Sequence, residues 1–444
     1  MTHFPLQRRS WPIGRARARA APATRRASAA QAALAVLATL GVLGTLATLA
    51  AGPAAVRAQP AADRIAADLR EEVRRIEVTV KDLYSRQETG SIALTLFRPP
   101  GDGPFPLAIV SHGRGNSQQR AAQGRQRFEP LARYLVSKGF AVFVPTRLGY
   151  GDTHARGFDP EDSGLCNSKR FEPMAVAASE QVLAALAQAQ KMPWVDARRW
   201  VALGQSVGGL TTLAVVSRKP PGLVAAINFS GGAGGDPERR PGNPCGPDEL
   251  ARLWGAQAAQ AAPGAQAAQA AQAAPATASE VPTLWIYWSH DRYWGAEHPR
   301  QWAEAWREGG GRVQLHQLSP WSGEPADGHL GLVRDMDRWV PLVEAFLADA
   351  GFAMSGLVPR PPATRFARID EIHKVPVSAE RREGLYRPFL ASPPPRAFAI
   401  GPTGIAAWAS GDWALGRALG NCQWRNGRTC RLYAVDDDVV WTPF

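Results

Sequence analysis

At 444 residues and 45% hydrophobic content, the chain has enough apolar material for one enzyme-sized domain and a smaller unit, which excludes disorder throughout. The formal charge of +12 would suit a nucleic-acid surface, but eight arginines and no acid fall within residues 1–58, leaving only +4 on the rest. No nucleic-acid partner is expected.

The first 58 residues have a basic beginning, an apolar Ala/Leu/Val stretch over 29–51, and AAVRAQ with small residues at Val56 and Ala58. This is the layout of a signal peptide cut after Ala58, and it predicts a periplasmic or secreted protein. A lone membrane anchor is the competing reading, weakened by Gly41, Gly44 and the many alanines in the span. Outside the cytosol the four cysteines are expected as disulfides, Cys166 with Cys245 and Cys422 with Cys430. No CxxC pair or His/Cys cluster has metal-ligand spacing, so no structural metal is expected, and the serine chemistry read below calls for no cofactor.

From Ile65 onward, strand and helix signals alternate. EVRRIEVTV and SIALTLFRP read as an opening strand pair and PFPLAIVSH as a short buried strand. A helix at FEPLARYLVSK ends at Gly139 before the strand FAVFVPT. An amphipathic segment over 171–190 leads into the strand WVALG and a helix after Ser206. The strands LVAAINFS, TLWIYW and VQLHQL follow, with helices around 300–306 and at MDRWVPLVEAFLADA. Such alternation predicts an α/β fold, a mostly parallel sheet flanked by helices. Residues 255–278 are low complexity, with almost no large apolar side chain, and read as a surface insertion. The proline-rich LVPRPPAT opens a linker over 353–395, and residues 396–444 read as a small β-β-α-β module clipped by Cys422 and Cys430.

Gly204, Gln205, Ser206, Val207 and Gly208 form GxSxG between a strand and a helix. A serine in that setting sits on a sharp turn that lifts its hydroxyl above the sheet edge, with glycines where side chains would block the crossing. Such a hydroxyl needs a histidine to take its proton and a carboxylate to orient the histidine. TLWIYW runs directly into SHDRYW, putting Asp291 at a strand's carboxyl end, with Glu297 further away. Among the later histidines, His298 is too near Asp291, His316 lies inside a strand and His373 lies beyond the linker. His329, in GEPADGHLGL, remains. The N–H of Val207 and that of Arg114, in the loop HGRGNSQQR, are the expected donors to an oxyanion. Tyr293 and Trp294 are expected to line an apolar substrate pocket, and RLGYGDT over 147–153 to border the site.

HGRG, RLGYGDT, GQSVGG, SHDRYW and DGH, in this order over residues 73–351, resemble the dienelactone hydrolase-like branch of the α/β-hydrolase superfamily. The resemblance implies an α/β-hydrolase domain over 65–352, a Ser206–His329–Asp291 triad, an oxyanion hole at Val207 and Arg114, and a small-molecule ester as substrate. Dienelactone hydrolases proper carry a cysteine where this chain has Ser206, so their substrate does not transfer, and a serine esterase is nearer. A peptidase of related fold and an inactive envelope protein are the alternatives. The C-terminal module resembles small cysteine-bearing pieces of exported bacterial proteins, which implies an envelope contact and no activity.

Overall fold

The computed structural model describes residues 65–262, 281–321, 327–357, 359–426 and 429–444. The expected signal peptide, its cut site and residues 263–278 of the low-complexity run lie outside them.

The strands of the main sheet are β1 (Glu72–Lys81), β2 (Gln87–Phe97), β3 (Phe105–Ser111), β4 (Ala141–Pro145), β5 (Val195–Gln205), β6 (Leu223–Phe229), β7 (Thr283–Trp288) and β8 (Val313–Leu318). They lie in the order β1-β2-β4-β3-β5-β6-β7-β8. β2 runs antiparallel to β1 and β4, and every pairing from β4 to β8 is parallel. Burial follows from position. Edge strand β1 alternates buried and exposed residues over Ile76–Lys81, whereas the central β4 is buried at all five positions, as a parallel strand covered on both faces must be.

The helices between strands are α1 (Ser117–Ala122), α2 (Glu129–Ser137), α3 (Phe171–Ala189), α4 (Val207–Ser217), α5 (Pro247–Ala261), α6 (His298–Glu308), α7 (Gly331–Arg334) and α8 (Met336–Asp349). One core, with Met174 and Val182 of α3, Leu210 and Leu213 of α4, Trp254 of α5 and Trp302 of α6, covers one face of the sheet. A second, with Leu131 and Leu135 of α2 and Trp339 and Val343 of α8, covers the other. Helix α4 is apolar around its whole circumference and is buried at ten of its eleven positions, as such a helix must be.

The low-complexity run departs from expectation at its start. Gly255 to Ala261 belong to α5, and Ala258 is fully buried. Smallness is the reason. A Cβ on Gly309, at the end of α6, would lie 2.2 Å from the carbonyl oxygen of Gly255 and 2.8 Å from Ala258 Cβ, so these two helices meet almost backbone to backbone.

The C-terminal unit is a four-stranded antiparallel sheet in the order β10-β9-β11-β12, built from β9 (Arg396–Ile400), β10 (Ala406–Ser410), β11 (Arg431–Val435) and β12 (Asp438–Val439), with helix α9 (Ala414–Asn426). The alternation in RAFAI sets its two faces. Ala397 and Ala399 face a cluster with Ala414, Ala418 and Leu419 of α9, where short side chains admit a close helix. Phe398 and Ile400 face a second cluster that contains Val375, Val377, Tyr386 and Phe389. Those four residues come from the segment expected as a linker. Residues 372–391 instead form short helical turns that supply the second half of this core, because their scattered apolar side chains are what covers the Phe/Ile face.

Candidate active site

Ser206 stands where β5 ends and α4 begins, at φ 58° and ψ −125°, a conformation that costs a non-glycine residue about 1–3 kcal/mol. Hydrogen bonds hold it there. Its N–H donates to the carbonyl of Phe229 (3.0 Å), and its own carbonyl accepts from Gly209 (2.8 Å) and Gly232 (3.1 Å). Both glycines of the motif are required by space: a Cβ on Gly204 would lie 2.0 Å from the carbonyl oxygen of Gly208, and one on Gly208 would lie 2.0 Å from that of Ser111.

Asp291 lies three residues beyond β7, in a turn where its N–H donates to Trp288 O at 3.0 Å. Its Oδ1 accepts from the N–H groups of Tyr293 (2.8 Å) and Trp294 (3.3 Å), and its Oδ2 lies 3.0 Å from His329 Nδ1. With Nδ1 donating to this carboxylate, Nε2 is the ring nitrogen left to accept a proton. Three further contacts fix the histidine: its N–H donates to Asp327 Oδ1 (3.0 Å), its carbonyl accepts from Gln205 Nε2 (2.7 Å), and its ring stacks on Tyr293 at 4.0 Å. The bond from Gln205, next to Ser206, fastens the His329 backbone to the serine turn. Burial opposes charging His329, but the carboxylate of Asp291, the hydrogen bond to it and the charge of Asp327 outweigh burial and raise its pKa above the ordinary histidine value. Asp291 and His329 are 2% and 8% exposed, so water screens this pairing little.

The loop after β3 closes the other side. A Cβ on Gly113 would lie 3.1 Å from Ser206 Cβ and 3.6 Å from its Oγ, so this loop runs against the serine with no room to spare for a side chain. His112 is buried, accepts from the Arg147 N–H at Nε2 (3.0 Å) and lies 2.8 Å from Gly113 O at Nδ1. Burial first, and the charge of Arg147 second, hold its pKa well below the ordinary value, so it serves as a neutral spacer. The guanidinium of Arg114 pairs with Asp159 through two bonds of 2.9 and 2.6 Å. Beneath lies a fully buried pair, Arg147 and Glu161, with the hydroxyl of Tyr150 donating to the same carboxylate.

Strand order, antiparallel second strand and a serine turn after β5 together decide the fold. It is the α/β-hydrolase fold. The sequence matches no protein-family model and no curated protein. Among solved structures, a Klebsiella pneumoniae protein provisionally assigned as a dienelactone hydrolase is similar at 15% identity and a TM-score of 0.37, over 63% of this chain and 98% of that one. The Pyrococcus furiosus esterase is similar at 13% identity and a TM-score of 0.39, over 65% and 96%. For the acylaminoacyl peptidase of Pyrococcus horikoshii the figures are 14% and 0.38, over 62% of this chain and 41% of that protein.

Tyr293 and Trp294 take different positions in this fold. Tyr293 is partly exposed and covers the His329 ring, whereas Trp294 is 1% exposed, donates from Nε1 to Ser230 O (2.7 Å) and packs on Trp302. The turn at Asp291 draws its indole into the core. Cys166 is bonded to Cys245, tying the loop after β6 to the approach to α3, and Cys422 is bonded to Cys430 at the end of α9. Among the described residues no group of three or more His, Cys, Asp or Glu is arranged to hold a metal ion. Sequence reasoning missed Gln205, Asp327 and the Arg147–Glu161 pair. Gln205 carried a signal, as a polar residue at the end of an apolar strand, and so did Asp327, two residues before the histidine.

Proposed function

We propose that this protein is an exported serine hydrolase that cleaves a carboxylic ester through an acyl-enzyme. The observation that carries the reading is the His329–Asp291 pair, 3.0 Å apart, joined through Gln205 to the strained turn bearing Ser206. In this reading Ser206 Oγ attacks the acyl carbon as His329 Nε2 takes its proton, and Asp291 steadies the imidazolium. The oxyanion is met by the N–H of Arg114 and that of Val207, which as the first residue of α4 has no partner within its helix. His329 returns the proton to the departing alkoxide. Water then attacks the acyl-enzyme with His329 as base, releasing the acid and restoring Ser206. Tyr293 borders the acyl pocket, with Trp294 supporting it from behind. The two disulfides fit an oxidising compartment. Among the described residues no helix is long and apolar enough to cross a membrane.

A fluorophosphonate probe tests the chemistry. The exported protein should label at Ser206, and Ser206→Ala should lose the label and about 10⁴-fold or more of its ester turnover. A wild-type protein that stays unlabelled, or an alanine variant that turns over esters as well as wild type, ends the reading. A panel of short-chain and aromatic esters beside peptide amides separates esterase from peptidase.

A further inference from the structure

We infer that the C-terminal unit is a working part of the active site, and that Trp424 braces the loops carrying Asp291 and His329; the inference rests on the triad proposed above. The 3₁₀ turn Gly328–Leu330 holds His329 and runs straight into α7, a helix of four residues that is too short to hold its own shape. Other elements must fix it. On its inner side, a Cβ on Gly331 would lie 2.1 Å from the ring of Trp288, and one on Gly328 would lie 2.7 Å from the backbone nitrogen of Asp291. The histidine turn thus lies flat against the acid turn.

On its outer side, the support is α9. A Cβ on Gly420 would lie 2.5 Å from the carbonyl oxygen of Val333, so the two helices touch through backbone, and the guanidinium of Arg334 sits over the ring of Trp424 at 4.2 Å. The same guanidinium faces Trp321 at 6.0 Å, and Trp321 meets the ring of His290 edge-on at 4.7 Å. His290 adjoins Asp291, and its carbonyl accepts from the Gly328 N–H at 3.2 Å. Trp424, Arg334, Trp321 and His290 therefore form a chain of side-chain contacts from the C-terminal unit to the residues beside both the acid and the base. The far end of this chain of contacts is anchored. Arg417 of α9 pairs with Asp337 at 3.0 Å, and the disulfide Cys422–Cys430 fastens the end of the helix to its own sheet. A displacement of about 1 Å in a reacting group can cost 10²-fold in rate, so a brace at this place acts on turnover rather than on substrate binding.

The test compares Trp424→Leu, which keeps apolar bulk and loses the aromatic face, with Trp424→Phe, which keeps that face. Ester kinetics, the fluorophosphonate labelling rate of Ser206, melting temperature and amide hydrogen exchange over residues 328–334 are read on the full exported chain. Trp424→Leu is expected to stay folded, to lose roughly ten- to hundredfold in kcat with KM little changed, and to exchange faster at 328–334. Trp424→Phe should recover most of the rate. Should the leucine variant unfold, Arg334→Gln breaks the chain of contacts at its next member and gives the same comparison. Wild-type kcat together with wild-type exchange at 328–334 overturns the inference, as does faster exchange with undiminished kcat. If wild type itself neither labels nor turns over esters, the hydrolase reading fails. The exchange data then judge the brace by themselves: unchanged exchange refutes it, and faster exchange supports it.

Discussion

Replacing Glu161 by Gln removes the counter-charge of Arg147 and changes almost nothing in size. Both side chains are wholly inaccessible to water, and the carboxylate accepts from Arg147 Nε, from Nη2 at 3.2 Å and from the Tyr150 hydroxyl. Burial works against charging Glu161, but Arg147, its hydrogen bonds, Arg114 and the Tyr150 hydroxyl more than offset it, and the native carboxyl titrates below its ordinary value. With the carboxylate gone, an arginine is left buried without a counter-ion, which costs about 3–5 kcal/mol. At roughly 2 °C per kcal/mol for a large domain, Glu161→Gln should melt about 6–10 °C below wild type at pH 7. Removing both charges, in Arg147→Met with Glu161→Gln, should recover most of that loss, because no uncompensated charge is then left buried. The sign with pH follows from the depressed native value: the pair contributes fully above the ordinary carboxyl range, and its contribution fades as pH falls through the native pKa. The gap between wild type and Glu161→Gln should therefore narrow in acid. Differential scanning calorimetry across this range is the assay. A single variant that melts within about 2 °C of wild type, or a double variant no better than the single, would refute the reasoning.

The proposed triad makes a second prediction. Asp291→Asn keeps an oxygen for the N–H groups of Tyr293 and Trp294 but orients the His329 ring in the wrong tautomer, so kcat on a chromogenic ester should fall on the order of 10⁴-fold with the melting temperature nearly unchanged. Asp327 raises the His329 pKa, so Asp327→Asn, which retains an acceptor for the His329 N–H, should lower that pKa; the acid limb of kcat/KM, governed by loss of neutral imidazole, should move to lower pH. A limb that stays in place would show that Asp327 acts only as a turn cap. The disulfides close loops of very different size, with separations of 79 and 8 residues, worth about 4.5 and about 2.5 kcal/mol by loop entropy. Serine replacement of Cys166 and Cys245 should accordingly destabilise more than that of Cys422 and Cys430, as urea midpoints will report.

What was legible in the sequence is what local constraint dictates. The serine turn announces itself because Gly204 and Gly208 must both lack a side chain where a Cβ would meet a carbonyl oxygen at 2.0 Å, and because the motif stands between an apolar strand and an apolar helix. The pairing of Asp291 with His329, observed at 3.0 Å, is legible because the apolar run TLWIYW ends a few residues before the acid and because, of the other late histidines, His298 is too near Asp291 in sequence, His316 lies inside a strand and His373 lies far toward the C-terminus. The buried Arg147–Glu161 pair gave no such sign, since its members sit fourteen positions apart among residues that read as an ordinary polar loop, and only the fold brings them together out of water. Composition misleads in the other direction at α5: alanine and glycine offer little apolar surface to bury, yet at Gly255 and Ala258 smallness is the packing property, letting two helices approach until their backbones touch. The same property recurs at Gly420 against Val333, where the C-terminal unit meets the helix after His329. Residues chosen for what they lack carry no hydrophobic signal, so contacts of this kind escape pattern reading even where, as beside the histidine turn, two units of the chain meet through them.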